Sequence, residues 1–310
     1  MSKIKIGLDK FYIMCPLALL CTLLWGSAFP VIKVGYEALN IESNDTASII
    51  LFAGLRFILA GLLTVVIFSF IGKKVLIPKK TSLYKIAVLS IFQTIIQYLF
   101  FYLGLAHTTG VRASIINALD VFFVLFISAF LFRQERFNIK KTLGCILGFI
   151  GVAVAGGLLS SSVESQFKIG DLFIVLSAWG YSFSSSFMKE YSKDDNPAML
   201  SGYQFILGGI VLAFTGYAMG GRINFNNKGI LIIIYLALVS AVAYSVWSIL
   251  LKYNEVSKVT VFSLFTPIFG FVLSYMMLGE DNGSLAYNLI GLILVVLGIL
   301  VLNIKNRTTA

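Results

Sequence analysis

Two charged side chains, Arg56 and Asp120, interrupt stretches of the chain that are otherwise apolar, 48–71 and 111–132. An ionised side chain at the centre of a bilayer costs at least ~2.5–3.5 kcal/mol, so such groups usually face a cavity or a partner. A guanidinium and a carboxylate together could bind a solute that carries both charge signs. They could instead form an ion pair that only fixes helix packing, or the arginine could extend to acids at the outer surface. Asp120 is also the candidate for proton coupling.

Amide side chains lie near the same depth as these two ions. At 1.5 Å per residue, Arg56 and Asp120 each lie ~12–14 Å from the outer end of their span. Asn117 precedes Asp120 by three residues, and Gln93 precedes Gln97 by four, so each pair shares one face of its helix. The spacing predicts a polar layer across the middle of the membrane.

Aromatic and amide side chains replace the ions in the second half of the chain, where Gln204 stands in the position of Arg56. Tyrosine and tryptophan are common both as interfacial anchors and as cavity walls, and both interpretations stay open here. We expect a central cavity whose wall includes these residues together with the polar layer: Trp25, Trp179, Tyr203, Gln204, Tyr244 and Trp247.

The composition sets the fold class. Of 310 residues, 58% are hydrophobic and only 12% are charged, and the mean hydropathy of +0.93 excludes an ordinary soluble enzyme. A spanning helix needs about 20 mainly apolar residues. The sequence predicts an all-α integral membrane protein with ten transmembrane helices, near 12–36, 48–71, 83–105, 111–132, 141–159, 170–190, 197–220, 228–250, 257–278 and 285–303.

The basic residues are distributed unevenly along the chain. The net charge of +10 does not indicate a nucleic-acid partner, because 17 basic residues fall in alternate connections and termini and only four in the others. The positive-inside rule then places both termini in the cytoplasm and the protein in the cell membrane, with lipid around it. Lys33 ends the first span, where interfacial anchoring or gating could explain it. The sole histidine and three scattered cysteines predict no metal site.

The chain contains an internal repeat. The segment 54–61 returns as 202–209, and Trp25-Gly26 returns as Trp179-Gly180. With five spans in each copy, the second copy must enter the membrane upside down, as in alternating-access transporters. We therefore expect two inverted five-helix repeats, joined by an extracytoplasmic linker: 12–159, 170–303 and 160–169.

Several motifs of the chain resemble the EamA-domain proteins of the drug/metabolite transporter superfamily. The likeness covers residues 12–303 and lies in the order of motifs Trp25-Gly26-Ser27-Ala28-Phe29-Pro30, Leu55-Arg56-Phe57, Glu135 with its following glycines, and Thr266-Pro267-Ile268-Phe269 with Glu280. The resemblance implies a ten-helix carrier for small metabolites, often an exporter, without a cofactor. The fourth span departs from the pattern, since it lacks the proline that would bend it.

Secondary transport of small polar organic solutes, such as amino acids or related metabolites, is the leading hypothesis. The expected direction is export by alternating access, with proton coupling through Asp120 as one mechanism. Efflux of cationic or amphipathic drugs is the alternative, because aromatic cavities suit cations. A membrane-embedded enzyme or receptor is disfavoured, because no acid, base or metal set clusters at one interface. The glycine-rich fifth and tenth spans would also suit a homodimer interface or an internal scaffold.

Overall fold

A computed structural model describes residues 10–133, 139–155, 167–254, 259, 261–280 and 285–303. Within these ranges the regular elements are helices. Short 3₁₀ turns at Lys80–Ser82 and Val261–Leu264 precede two of them. The α-helices are α1 Phe11–Ala38, α2 Thr46–Gly72, α3 Leu83–Leu89, α4 Tyr98–His107, α5 Gly110–Asn117, α6 Leu119–Phe130, α7 Ile139–Ala155, α8 Ile169–Tyr191, α9 Pro197–Ala218, α10 Asn227–Tyr253, α11 Phe265–Leu278 and α12 Leu285–Asn303.

Six helical segments in the described part of the chain are long and apolar enough to cross a membrane: Phe11–Ala38, Thr46–Gly72, Lys80–His107, Gly110–Phe130, Pro197–Ala218 and Asn227–Trp247. Two shorter apolar helices, Phe262–Leu278 and Leu285–Val301, accompany them. The sequence-based expectation of an all-helical membrane fold is confirmed. Glu135 and most of the linker 160–169 lie outside the described residues.

Side-chain caps fix where several of the helices begin. Asp45 accepts a hydrogen bond from the Ser48 backbone at the start of α2, and Asn196 caps α9 just before Pro197. Such caps satisfy backbone N–H groups that a helix start leaves without an intrahelical partner. The polar residues between the apolar stretches therefore set the length of each span.

The segment Ser90–Gln97 between α3 and α4 is π-helical. A π-helix is rare and often occurs at functional sites. Its counterpart in the second half, α10, is a continuous α-helix. The π-helical turns carry Gln93 and Gln97, so this irregular segment positions two of the predicted site residues.

The fourth span is broken at Ala118 without a proline. The α5 helix ends at Asn117 and α6 begins at Leu119. At the break, the Ala118 N–H donates to the Ile115 carbonyl and the Val121 N–H donates to the Ala118 carbonyl, so each hydrogen bond spans three residues. Asp120 lies in the first turn of α6, where the positive end of the helix dipole favours a negative charge.

Glycines bring the helices of the two halves into close contact. A methyl group built on Gly61 would meet the carbonyl oxygen of Gly202, and one built on Gly209 would meet that of Gly54, so α2 and α9 touch through their backbones. The α7 and α12 helices touch in the same way through Gly151 and Gly291, and again where Gly298 meets Gly144. Small residues permit such approaches in lipid, where van der Waals packing drives helix association.

Candidate functional site

Aromatic side chains from both halves meet in the middle of the bundle. The Trp25 ring on α1 lies 5.4 Å from Tyr244 and 5.1 Å from Trp247, both on α10, in edge-to-face geometry. Trp25 lies directly before Gly26, and a methyl group there would meet the Phe269 backbone and side chain on α11. The close α1–α11 contact therefore helps to fix where the Trp25 ring lies.

Polar groups line the region around Trp25, Tyr244 and Trp247. The hydroxyls of Tyr98 and Tyr244 are 2.7 Å apart, and Tyr244 also interacts with the amides of Gln93 and Gln97. We call Trp25, Gln93, Gln97, Tyr98, Tyr244 and Trp247 the central cluster. Within it, the Gln97 Oε1 and Trp25 Nε1 atoms are buried and have no hydrogen-bond partner. Buried polar atoms normally have partners, so these two offer an acceptor and a donor to a ligand.

Asp120 lies beside the central cluster. Its carboxylate accepts a bond of 3.4 Å from the Asn117 amide, which is long for a hydrogen bond. Gly180 on α8 lies against the backbone of Gln97, and the next residue, Tyr181, interacts electrostatically with both Asp120 and Tyr244. Ser182 donates to the Asp120 carbonyl, which ties α8 to the start of α6. The Asp120 side chain is half-buried.

Arg56 has partners that differ from the one expected. Its Nε donates to the Leu236 carbonyl at 3.1 Å, and its terminal nitrogens donate to the Tyr102 hydroxyl at 2.9 Å and to Ser240 Oγ at 2.7 Å. The guanidinium carbon also lies 4.4 Å from the Phe57 ring centroid. The residue is 2% exposed. No ion pair between Arg56 and Asp120 occurs among the described residues.

The structure places the remaining predicted residues elsewhere. The Gln204 amide is buried and accepts from Thr94 Oγ1, so it fastens α9 to the π-helical segment. The Tyr203 hydroxyl donates to the Leu76 carbonyl at 3.0 Å, in the connection after α2. Trp179 is 37% exposed and packs beside Phe123. Residues at matching positions of the two repeats, such as Trp25 and Trp179, therefore do not all have side chains in the central cluster.

Ion pairs join α1, α5, α8 and α11 at one end of the bundle. Lys33 Nζ lies 3.0 Å from Glu280, and the Arg112 guanidinium lies 2.6 Å from the Asp171 carboxylate. Thr108 links the two pairs, because its carbonyl accepts from Lys33 and its hydroxyl donates to Asp171. We call these five residues the end network. Asp171 has no exposed surface, so its ion pair lies inside the protein.

A smaller polar contact lies at the opposite end, between α3 and the α8–α9 connection. Lys85 Nζ lies 2.8 Å from Asp195 and 3.1 Å from Asp194, and Ser82 donates to Asp195. The hydrogen bond from Lys85, followed by that from Ser82, holds the pKa of Asp195 below its ordinary value. This contact ties the start of α3 to the connection between α8 and α9.

Tyr98, Tyr102, Tyr181 and Ser240 are site residues that sequence reasoning missed. The sequence did offer a signal for Tyr98 and Tyr102, since they are four apart and Tyr98 directly follows Gln97. Asp171 also offered a signal, as an acid at the start of an apolar span. The described residues contain no group of three ligands suited to a metal. The central cluster offers hydroxyls, amides and indoles as binding groups, and the Asp120 carboxylate lies beside it.

Apolar helices that converge on such binding groups are the hallmark of a multi-pass membrane transport protein. The model of the EamA-like transporter family matches residues 12–157 and 168–304. The chain therefore belongs to that family, as the motifs in its sequence indicated.

Relatives extend the similarity over most of the chain. A "probable amino-acid metabolite efflux pump" of Salmonella typhimurium is 27% identical over 91% of this chain and 92% of its own. The protein of that name from Escherichia coli is 26% identical over the same shares. An "uncharacterized transporter" of Archaeoglobus fulgidus is 29% identical over 83% of this chain and 87% of its own. One solved crystal structure, 17% identical, covers 92% of this chain and 95% of its own with a TM-score of 0.64, which shows a shared fold.

Proposed function

We propose that the protein exports small polar organic solutes, amino acids or related metabolites, from the cell by alternating access. The observation that carries this proposal is the central cluster, where binding groups from both halves of the chain meet and two buried polar atoms have no partner. The names of the relatives from Salmonella typhimurium and Escherichia coli support the substrate class and the direction.

The proposed architecture is ten transmembrane helices in two inverted repeats. The reciprocal glycine contacts between α2 and α9, and between α7 and α12, support it. The other large contacts also correspond: α1 packs on α10 and α11, and α8 packs on the third span and on α6. A two-fold axis in the membrane plane would exchange these contacts, as in other transporters with inverted repeats.

Alternating access is supported by how the fourth and ninth spans meet. The α11 helix packs extensively on α5, and Gly110 there lies against Ser274. The α6 helix packs mainly on α8 and much less on α11. The two spans therefore touch near the end network and separate toward the opposite end. This geometry fits a state in which the central cluster is reached from only one side, which we take to be the cytoplasm.

Proton coupling through Asp120 belongs to the same proposal. Asp120 is the carboxylate of the central region, and its side chain accepts a long bond from the Asn117 amide and a bond from the Val121 backbone N–H in its own helix. A carboxylate inside a bilayer marks a proton or substrate pathway by default. A proton gradient that drives solute movement in purified protein would support this step.

Transport by purified protein in liposomes is the decisive experiment. We expect a panel of labelled amino acids, amines and cationic dyes to reveal a solute that exchanges across the membrane, faster when a proton gradient is imposed. Protein-free liposomes and a denatured sample serve as controls. A panel that shows no protein-dependent movement, in either direction and with or without the gradient, would contradict the proposal.

Orientation can be tested separately in intact cells on a background without cysteine. We expect a membrane-impermeant thiol reagent to label Ser43→Cys, in the exposed α1–α2 connection, and not Thr81→Cys, which is exposed at the opposite end. The 17-to-4 distribution of basic residues motivates this expectation. The reverse labelling pattern would place both termini outside.

A further inference from the structure

The two intramembrane charges of this protein differ in whether a solute can reach them. Each nitrogen of the Arg56 guanidinium donates a hydrogen bond to a protein oxygen. The rings of Phe57, Tyr98 and Tyr102 lie within 4.4, 5.6 and 5.8 Å of its central carbon. Arg56 is thus enclosed by its own protein and offers no surface to a substrate carboxylate.

Asp120 is in the opposite situation. Its side chain is half-buried, and it accepts a long bond from Asn117 and one from the Val121 backbone N–H, but no bond from a cation among the described residues. A carboxylate can accept about four hydrogen bonds. The Asp120 carboxylate therefore has acceptor positions left for a hydrogen-bond donor that enters the central region.

The surroundings of Asp120 favour a cation. Gln97 contributes a buried oxygen that lacks a donor, and Trp25, Tyr244 and Trp247 contribute ring faces and edges. Aromatic faces attract ammonium groups, and an ammonium supplies three donors to a carboxylate and an amide oxygen. These groups together match the chemistry of an organic ammonium ion.

A substrate carboxylate would meet a neutral donor in the central cluster, the Trp25 indole N–H, and not an unpaired cation. The cations of the end network, Lys33 and Arg112, already lie against Glu280 and Asp171. Arg56 is the cation beside the central cluster, and each of its three nitrogens already donates to a protein oxygen while the residue is almost fully buried. An anionic group placed near Asp120 would be repelled by the negative charge of that carboxylate. Without an unpaired cation to offset the repulsion, this is costly where water is scarce.

We propose that Asp120 and Gln97 bind the ammonium group of an organic amine, and that amines without a carboxylate are preferred over the corresponding zwitterions. This inference rests on the proposed transport function and narrows its substrate class. It also replaces the expectation of a substrate recognised by both Arg56 and Asp120.

Three probes that share a phenylethyl group can test the preference: phenethylamine, phenylalanine and 3-phenylpropionate. Contacts of the ring with the aromatic side chains are shared, and the probes differ in carrying an ammonium, both charged groups or a carboxylate. Binding to the purified protein in detergent is followed by tryptophan fluorescence, since Trp25 and Trp247 lie in the cluster. Exchange in liposomes is measured in parallel, so that binding and transport are separate readouts.

We expect phenethylamine to bind at least about tenfold more tightly than either of the other probes, the scale of one charge-assisted hydrogen bond. Asp120→Asn should abolish this preference, and Asp120→Glu should retain it. Glu37→Gln, which removes an exposed acid at the end of α1, is the matched control and should behave like the parent protein.

Equal binding of the three probes, or a preference for phenylalanine, overturns the inference even when the liposomes show transport. An amine preference that survives Asp120→Asn also overturns it. Amine binding that depends on Asp120 in a protein that moves nothing would support the inference and contradict the proposed transport. Because the parent protein alone ranks the probes, a variant that fails to fold does not remove the test.

Discussion

The carboxylates of the end network and the carboxylate of Asp120, beside the central cluster, differ in the hydrogen-bond donors around them. Asp171 accepts from a guanidinium, a hydroxyl and a backbone N–H, and Glu280 accepts from an ammonium and a backbone N–H. Asp120 accepts a long bond from the neutral Asn117 amide and one from the Val121 backbone N–H, and no cation among the described residues pairs with it. A carboxylate with a full set of donors holds helices together, whereas one with open acceptor sites is available to a solute. Four predictions test this distinction.

Replacing Asp171 with alanine should have the largest effect on stability. Arg112 would remain buried without its carboxylate, and breaking a buried pair from one side typically costs about 3–5 kcal/mol. Unfolding of the purified protein in detergent measures the change, with the exposed Glu42→Gln as control. An Asp171→Ala protein as stable as the parent would show that the end network does not hold the bundle.

Arg56→Met should destabilise the protein by about 2–3 kcal/mol, because Tyr102 and Ser240 would lose a charged donor inside the bundle. The exposed Arg222→Met is the matched control and should unfold like the parent. If Arg56→Met keeps full stability and loses only solute binding, the guanidinium belongs to the binding site after all.

Asp120→Leu should leave the protein as stable as the parent or raise its stability by about 1 kcal/mol, because a charge within the membrane is costly and this one has little compensation. Solute binding should be lost at the same time. The experiment compares both the unfolding and the solute binding of Asp120→Leu with those of the parent protein. A marked loss of stability would assign Asp120 to helix packing and would remove the difference between the two regions.

The smallest expected effect concerns acid and the contact of Lys85 with Asp195. Because the pKa of Asp195 is lowered below its ordinary value of 3.8, the contact contributes stability above that pH and loses it as the pH falls through the folded-state pKa. The parent's unfolding temperature should therefore fall more steeply below pH 3.8 than that of Asp195→Asn. Parallel curves for the two proteins would contradict this.

Composition and hydropathy were sufficient to predict an all-helical membrane fold. The predicted stretch 48–71 lies within α2, and 197–220 nearly coincides with α9, because an uninterrupted apolar run in a bilayer must satisfy its backbone as a helix. The break at Ala118 could not be located from the sequence, since no proline or glycine marks it.

The site was harder to predict because depth along a helix does not fix direction around it. The equal depth of Arg56 and Asp120 suggested a pair, yet the arginine turns toward Ser240 and the Leu236 carbonyl, about 180 residues later in the chain. Periodicity did place Gln93 and Gln97 together near Tyr244. Contacts between distant helices depend on how the two halves pack, which local spacing does not contain.

The π-helical segment Ser90–Gln97 bears on how the two halves diverged. The first half has 88 residues from Arg56 to Gly144, whereas the second has 87 from Gln204 to Gly291. A π-helix closes its hydrogen bonds one residue later than an α-helix, so it can absorb an inserted residue within a span. An insertion there would have turned Tyr98 and Tyr102 relative to the start of the span. The insertion of one residue would therefore explain why Ser90–Gln97 is π-helical whereas its counterpart in the second half, α10, is a continuous α-helix.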